Sequence, residues 1–112
     1  MEISFVSAKL QKTLSDGKLM IKAYGKNCAS KLQLRLAVLR EAKTMSAFTP
    51  NRKPERCHEL VGNRKGQLSM DLEHPYRLIF TPDHDPAPTS EDGGLDWQKI
   101  VAIKITEIVD TH

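Results

Sequence analysis

The side chains best suited to chemistry lie between Arg56 and Arg77, in a segment rich in basic and titratable residues. His58 stands two positions after Arg56, so the alternation of a strand would place both on one side. Histidine exchanges protons near neutral pH more readily than other unperturbed side chains. A lone histidine on a strand more often has a structural role, so the spacing leaves both interpretations open.

A basic hairpin tip follows, in which Gly62 and Gly66 flank Asn63, Arg64 and Lys65. Glycine permits tight turns and close backbone approach. We therefore expect Arg64 and Lys65 to be free to bind phosphate. A solvated turn is the simpler interpretation of this segment on its own.

Arg77 interrupts an apolar run that is predicted to be a strand. An arginine in the middle of a strand must point at solvent, at a carboxylate or at a bound phosphate. Pairing with Asp71 or Glu59 is therefore the alternative to phosphate binding.

The chain end, Asp110-Thr111-His112, directly follows a run of isoleucine and valine that is predicted to be the last strand. Such a strand would hold the chain end near the sheet. Taken in isolation, a frayed tail is the more common fate of terminal residues.

The hydrophobic pattern predicts an α+β fold, with two helices packed on one face of a mostly antiparallel, twisted sheet. The predicted elements are an N-terminal strand at 2–7, a helical region interrupted at 15–17 and ended by Gly25, a longer helix at about 27–43 capped by Asn27, and strands at 57–61, 67–72, 76–80 and 97–109. The last strand is almost continuously apolar, which favours a central position buried on both faces.

Leu34 and Val38 lie off the apolar stripe of the longer helix, on a different side. We expect the preceding helix to cover them, with a partner-binding site as the alternative. Arg35 is expected to stay on the polar side of the same helix.

Length and composition fit a single domain that spans residues 1–112. The sequence shows no signal peptide, and no stretch reaches the ~20 apolar residues that span a bilayer. We therefore expect a cytoplasmic protein with no membrane partner. Cys28 and Cys57 have no metal-ligand spacing with the four histidines, which favours buried free thiols and no metal site.

The net charge of +3 is unevenly distributed along the chain. Residues 81–96, called the acidic loop below, contain five acidic residues and no lysine or arginine. The other 96 residues carry 17 basic and 9 acidic side chains, a net charge of +8. A basic body suits a polyanionic partner such as nucleic acid, although lysines that solvate helix faces would give the same composition. Because acids repel RNA, we expect the acidic loop to lie away from His58 and Arg77.

In their order and spacing, these segments resemble the RelE/HigB family of type II toxin–antitoxin toxins, and within it the HigB-like plasmid maintenance system killer proteins. The motifs that carry the resemblance are Glu2-Ile3-Ser4-Phe5, Lys22-Ala23-Tyr24-Gly25-Lys26, Arg56-Cys57-His58-Glu59-Leu60, Gly62-Asn63-Arg64-Lys65-Gly66-Gln67, Pro75-Tyr76-Arg77-Leu78-Ile79-Phe80, residues 91–97 and residues 107–112. The resemblance implies a RelE-like, microbial-RNase-like fold. It also implies a ribosome-dependent mRNA endoribonuclease that inhibits translation without metal or cofactor, and a helix-turn-helix antitoxin as partner beside ribosome and mRNA.

The resemblance also implies roles for individual residues. His58 and His112 match histidines of the HigB branch and are the candidate acid and base, and Asp110 matches an acidic residue that could orient one of them. Arg77 matches the strand arginine expected at the scissile phosphate, which the ribose 2′-OH attacks to leave a 2′,3′-cyclic phosphate. The expected RNA- and phosphate-binding residues are Arg56, Arg64 and Lys65.

The chain departs from the family pattern at two places. RelE-type members carry lysines where this chain has Ser69 and Asp71, which argues against a lysine-based mechanism. HigB-type members can carry an aromatic residue where this chain has Thr111, so base stacking there is lost, and Tyr76 is expected to face the core. The alternative function is that of a same-fold toxin that poisons by binding, as ParE-like gyrase inhibitors do, without RNA cleavage.

Overall fold

The computed structural model describes residues 1–50 and 52–110, and this part of the chain contains five strands and three α-helices. In chain order they are β1 (Glu2–Phe5), α1 (Ala8–Leu14), α2 (Gly17–Tyr24), α3 (Lys26–Glu41), β2 (His58–Glu59), β3 (Leu68–Asp71), β4 (Tyr76–Pro82) and β5 (Ala102–Asp110). The predicted α+β class is confirmed.

The strands form one mixed sheet in the order β1-β5-β4-β3-β2. β5 runs parallel to β1 and antiparallel to β4, while β3 pairs antiparallel with both β4 and β2. The sheet is thus mostly antiparallel, as predicted, with one parallel pair that joins the first strand to the last. β2 lies at the edge of the sheet, where loops can pack beside it.

The region predicted as one interrupted helix is two helices, because Asp16 starts a new one. Its Oδ1 accepts a hydrogen bond from the Lys18 backbone N–H at 2.9 Å, which is N-cap geometry. Gly25 ends α2, as predicted, at a φ of +86°, a conformation that favours glycine. α3 then begins at Lys26 with Gly25 as its N-cap, so the prediction that Asn27 caps this helix is wrong.

α3 packs an apolar stripe against one face of the sheet to form the core. The buried residues of the stripe and of that face are Leu32, Leu36, Leu39, Leu68, Met70, Leu78, Phe80, Ile103 and Ile105. Cys28 and Cys57 are buried free thiols, as predicted. Burial raises the pKa of the Cys57 thiol to about 12, so this thiol stays protonated at neutral pH and belongs to the core.

Two predictions for α3 are wrong. Leu34 and Val38 are not covered by the preceding helix, since they are 59% and 37% exposed. Arg35 is buried, and backbone carbonyl groups compensate the burial of its charge by accepting hydrogen bonds from its guanidinium. Arg35 lies seven residues after Cys28, a spacing that returns to the same face of a helix and so to the buried stripe.

A bulge in β5 decides which of its side chains face the helices. Ile79 pairs with Glu107, but Phe80 pairs with Ile105, so Thr106 is the extra residue. Because side chains alternate along a strand, the bulge keeps Ile105 in the core and turns Glu107 to the other face. The prediction that β5 is buried on both faces is therefore wrong, while its predicted interior position in the sheet is confirmed.

Candidate active site

The face of the sheet turned away from α3, here called the open face, carries most of the predicted site. Residues directly opposite each other on neighbouring strands point to the same face. The two rows on this face are His58, Ser69, Ile79 and Glu107, and then Asp71, Arg77 and Val109. His58 and Arg77 therefore share the open face, on strands that are about 10 Å apart.

Two of the predicted arginines converge on one carboxylate at one end of this face. Arg77 Nε lies 3.8 Å from Asp71 Oδ1, and Arg56 Nε lies 3.7 Å from Asp71 Oδ2. These three side chains are called the arginine cluster below. The pairing of Arg77 with Asp71 considered from the sequence does occur. One carboxylate cannot neutralise two guanidinium groups, however, so the cluster keeps a surplus positive charge that suits an anion.

Arg56 reaches the cluster from an uncommon backbone conformation. Its φ is +47°, the only positive φ of a non-glycine residue in the described part of the chain. Its backbone N–H donates to the Arg52 carbonyl oxygen at 2.7 Å, which holds the turn. Left-handed conformations are rare outside glycine and collect at functional sites, where the surrounding structure enforces them.

The buried Arg35 supports the cluster from the core side of the sheet. Its Nε donates to the Asp71 carbonyl oxygen at 2.9 Å, and its Nη2 donates to the Pro54 carbonyl oxygen at 3.4 Å. The Asp71 N–H donates in turn to the Glu55 carbonyl oxygen at 2.7 Å. Arg35 thus ties the end of β3 to the segment that carries Arg56. The sequence pattern did not predict this supporting role of Arg35.

His58 has a defined tautomer in this arrangement. Its Nδ1 lies 3.0 Å from the Arg56 carbonyl oxygen. Because a carbonyl oxygen only accepts, Nδ1 carries the hydrogen in this contact, and the neutral ring presents Nε2 as its acceptor. The side chain is partly exposed, so Nε2 is the atom that can take a proton from a ligand.

Arg64 is engaged within the protein rather than free at the hairpin tip, and its contact with phosphate stays a prediction. Its Nη1 donates to Glu107 Oε1 at 2.6 Å and to Gln67 Oε1 at 2.9 Å. Arg64 lies between β2 and β3 while Glu107 lies on β5, so this side chain crosses two strands of the open face. Ser69 and Ile79, on the same face, are buried.

Lys65 is exposed and lies at the hairpin tip, close to the acidic loop. It lines a cavity of about 410 Å³ together with Asp92 and Leu95 of that loop. The tip of the hairpin therefore faces the acidic loop rather than the arginine cluster.

The acidic loop docks against β2, so the expectation that it lies away from His58 is wrong. Glu59 Oε1 accepts hydrogen bonds from the Leu95 N–H and from Trp97 Nε1, each at 3.0 Å. Glu59 is adjacent to His58 in β2. The Leu95 and Trp97 groups that it binds come 36 and 38 positions later in the chain. The loop is thus held at the edge of the sheet beside the site.

Asp92 and Asp96 of this loop accept hydrogen bonds from donors that are close to them in the chain. Asp92 accepts from the Ser90 hydroxyl and from the Gly94 N–H, and the Ser90 hydrogen bond lowers the pKa of Asp92 below its usual value. Asp96 accepts from the Gln98 N–H at 3.2 Å. These bonds fold the loop on itself and direct its negative charge toward its own backbone.

A cleft of about 500 Å³ opens between the acidic loop and the segment that follows α3. Phe48, Leu95 and Trp97 supply apolar walls, and His58 and Glu59 line the side nearest the sheet. His58 therefore belongs to the open face and to the cleft. No local sequence pattern predicts this cleft, because its walls are far apart along the chain.

Asp110 ends β5 opposite Tyr76. Tyr76 packs against the core, as predicted, with its ring centroid 6.0 Å from that of Tyr24. The register consequently places Asp110 on the face opposite to Arg77. The structure does not bring Asp110 to the arginine cluster. His112 and Thr111 lie outside the described residues.

Residues 1–50 and 52–110 contain neither a metal-binding cluster nor a helix that could span a membrane. No group of three or more His, Cys, Asp and Glu side chains there could hold a metal ion. Within the same residues, every helix is too short or too polar to cross a membrane. What the open face offers a ligand is two guanidinium groups and one imidazole.

Solved structures share this fold. The YoeB/ParE toxin from Agrobacterium tumefaciens matches with a TM-score of 0.55 and 10% identity over the whole of both chains. The YoeB dimer from Staphylococcus aureus matches with a TM-score of 0.51 and 18% identity over all of this chain and 97% of that one. No model of a protein family matches the sequence, and no curated protein does. At these identities the likeness establishes a YoeB/RelE-like fold and leaves the chemistry to be argued from the site.

Proposed function

We propose that this chain is the toxin of a type II toxin–antitoxin system and acts as a ribosome-dependent, metal-independent mRNA endoribonuclease of the HigB-like group. The observation that carries the proposal is the arginine cluster, in which Arg56 and Arg77 share the single carboxylate of Asp71 on the face that also holds His58. The YoeB/RelE-like fold and the sequence motifs support the same assignment.

The proposed reaction is an attack of the ribose 2′-OH on the adjacent phosphate. A bond forms between the 2′-oxygen and phosphorus while the bond from phosphorus to the 5′-oxygen breaks. His58 Nε2 takes the proton of the 2′-OH, since its Nδ1 is already bonded to the Arg56 carbonyl oxygen. The products are a 2′,3′-cyclic phosphate and a free 5′-OH.

Charge that develops on the phosphate is the main electrostatic demand of this reaction. Arg77 and Arg56 supply the positive charge that stabilises it, because their guanidinium groups lie near Asp71 before RNA arrives. Asp71 limits where the two arginines can move, and Arg35 fixes Asp71 through its backbone. Preorganised donors of this kind require little rearrangement when the transition state forms.

The departing 5′-oxygen needs a proton, and we assign its donation to His112, because the sequence resemblance makes His58 and His112 the candidate acid and base and His58 acts here as the base. Asp110 would orient His112 from the end of β5 rather than contact the phosphate, because it lies on the other face from Arg77. Arg64 would hold the hairpin in place through Glu107, and Lys65 would contact RNA outside the scissile phosphate. The proposed partners are the ribosome, mRNA and a helix-turn-helix antitoxin, all in the cytoplasm.

Induction of the chain in bacterial cells, followed by mapping of mRNA 5′ ends, tests the proposal. Wild type is expected to arrest growth and to create new 5′-OH ends within translated reading frames, while Arg77→Ala and His112→Ala abolish both. Arg40→Ala is the matched control, because this exposed arginine lies on α3, on the opposite side of the sheet.

Two outcomes would contradict the proposal. Growth arrest with intact mRNA would favour the alternative of a ParE-like toxin that poisons gyrase by binding. Cleavage by His112→Ala at the wild-type rate would show that His112 does not donate the proton to the 5′-oxygen.

A further inference from the structure

The cleft beside His58 is not needed for the phosphate chemistry proposed above. We infer that it binds an unpaired nucleobase of the RNA substrate, with Trp97 as the stacking surface. This inference rests on the proposed action on RNA and adds a base-binding site to it. Four observations carry it: the size and lining of the cleft, the fixed position of Trp97, the distribution of charge around it, and its continuity with the open face.

The cleft has the size and composition of a small-ligand site. Its volume of about 500 Å³ falls within the range of about 300–1,000 Å³ that is typical of such sites. Flat or apolar walls come from Trp97, Phe48 and Leu95, and polar groups come from Thr49 and Glu59. Unpaired bases are bound in this way, by stacking on a ring and by hydrogen bonds along their edges.

Trp97 is fixed before a ligand arrives. Its Nε1 donates to Glu59 Oε1 at 3.0 Å, so the edge of the indole is anchored to β2. Phe48, across the cleft, is buried and belongs to the core. A stacking surface that is already ordered loses little conformational freedom when a base binds.

The charges around the cleft favour a neutral base inside it and a phosphate outside. Glu59 and Asp96 line the cleft and would repel a phosphate that entered it. Glu59 Oε2 has no donor among the described residues, so it is available to accept a hydrogen bond from the edge of a base. Outside, the Arg52 guanidinium carbon lies 6.0 Å from the centroid of the Phe48 ring. Its Nη2 is 3.8 Å from Glu55 Oε2, and the half-exposed guanidinium keeps further N–H donors for a neighbouring phosphate.

The cleft is continuous with the proposed active site through His58, which lines it and shares the open face with the arginine cluster. A nucleotide next to the scissile phosphate could therefore place its base in the cleft while the phosphate remains on the open face. An aromatic side chain of a protein partner would fit the apolar walls. It would make no hydrogen bond with Glu59 Oε2 or with Thr49 at the polar edge of the cleft.

Trp97 is the only tryptophan of the chain, so its fluorescence reports directly on the cleft. The full-length protein is titrated with a 2′-O-methyl oligoribonucleotide, which lacks the attacking hydroxyl and cannot be cleaved by the proposed reaction. The same oligomer with abasic positions is the matched ligand control. We expect saturable quenching of Trp97 by the first oligomer and none by the abasic one.

Two variants test the role of the ring with a labelled form of the same oligomer, measured by fluorescence anisotropy. Loss of one base–aromatic stack is worth about 1–3 kcal/mol, so Trp97→Ala should weaken binding by about 5- to 150-fold. Trp97→Phe retains a stacking ring and should bind much closer to wild type. Thermal unfolding of both variants identifies any loss that comes from misfolding, and if Trp97→Ala unfolds, the abasic comparison on wild type decides the inference.

The outcomes separate this inference from the proposed function. Base-dependent quenching in a protein that cleaves no mRNA supports the cleft and contradicts the nuclease. Cleavage of mRNA by a protein whose Trp97 fluorescence does not respond to the oligomer overturns the base-binding inference alone. Quenching by N-acetyl-phenylalaninamide but not by the oligomer would show that the cleft takes a protein side chain, and would also overturn it.

Discussion

Two arginines of the open face, Arg64 and Arg77, have different surroundings. Arg64 Nη1 lies 2.6 Å from Glu107 Oε1 and also binds Gln67, so its charge is matched by one carboxylate. Arg77 lies 3.8 Å from Asp71, which it shares with Arg56. The first arrangement is a closed pair, and the second leaves one guanidinium charge without a carboxylate.

This difference separates a structural role from a binding role on the same surface. A closed pair attracts a phosphate less strongly, because its own carboxylate already compensates the guanidinium charge. A shared carboxylate leaves donors that can turn to a phosphate while Asp71 still holds the second arginine. From sequence, the hairpin arginine looked the freer of the two, and the structure reverses that order.

The largest effect is expected for Arg77→Ala. Removing a preorganised donor from a reacting centre typically lowers the rate by about 10²–10³-fold. Cleavage of a reporter mRNA on purified ribosomes should fall by this amount, while thermal unfolding changes little because the pair with Asp71 is long and partly exposed. Arg77→Lys should recover part of the activity. Full activity in Arg77→Ala would show that the arginine cluster takes no part in the reaction.

Arg35→Ala should mainly destabilise the fold. The substitution leaves the Asp71 and Pro54 carbonyl groups without their charged donor in the interior, which costs about 2–3 kcal/mol. Urea denaturation measures the change. The exposed Arg40→Ala serves as its matched control on the same helix, and equal stability of the two variants would refute the anchoring role of Arg35.

Glu59→Ala should release the acidic loop from β2. The Leu95 N–H and Trp97 Nε1 lose their acceptor, so the unfolding free energy should fall by about 1–2 kcal/mol, with red-shifted Trp97 emission as the indole becomes hydrated. Glu59→Gln keeps an acceptor oxygen and should retain most of the wild-type spectrum. If both variants keep the wild-type emission, the loop is held by other contacts.

The smallest effect is expected for Arg64→Ala. The Arg64 and Glu107 side chains are 41% and 42% exposed, and such pairs contribute about 0.2–1 kcal/mol. Cleavage should stay within about tenfold of wild type, because no transition-state contact is removed. A double-mutant cycle with Glu107→Gln isolates the pair, and a coupling energy near zero would show that it does not hold the hairpin.

Local patterns were sufficient for the class of fold and for part of the site. Apolar periodicity located the core stripe of α3, and Asp71 was one of the two carboxylates considered as a partner of Arg77. Arg35 was also readable in principle, because it lies on the buried stripe seven residues after Cys28.

Other features depend on contacts that no local pattern encodes. Ile103, Ile105 and Glu107 alternate along the sequence, so simple alternation puts Glu107 in the core. Only the bulge at Thr106 turns it outward to meet Arg64. The bond from Trp97 to Glu59 joins residues 38 positions apart, and it arises from the edge position of β2, which the sequence alone does not reveal.

We propose that Arg77 binds the scissile phosphate whereas Arg64 does not. The most direct measurement is the rate at which 2′,3′-cyclic phosphate ends form on a ribosome-bound mRNA under single-turnover conditions, for wild type, Arg77→Ala and Arg64→Ala. We expect this rate to fall by about 10²–10³-fold in Arg77→Ala and by less than about tenfold in Arg64→Ala. Equal losses in the two variants, or the larger loss in Arg64→Ala, would contradict this proposal.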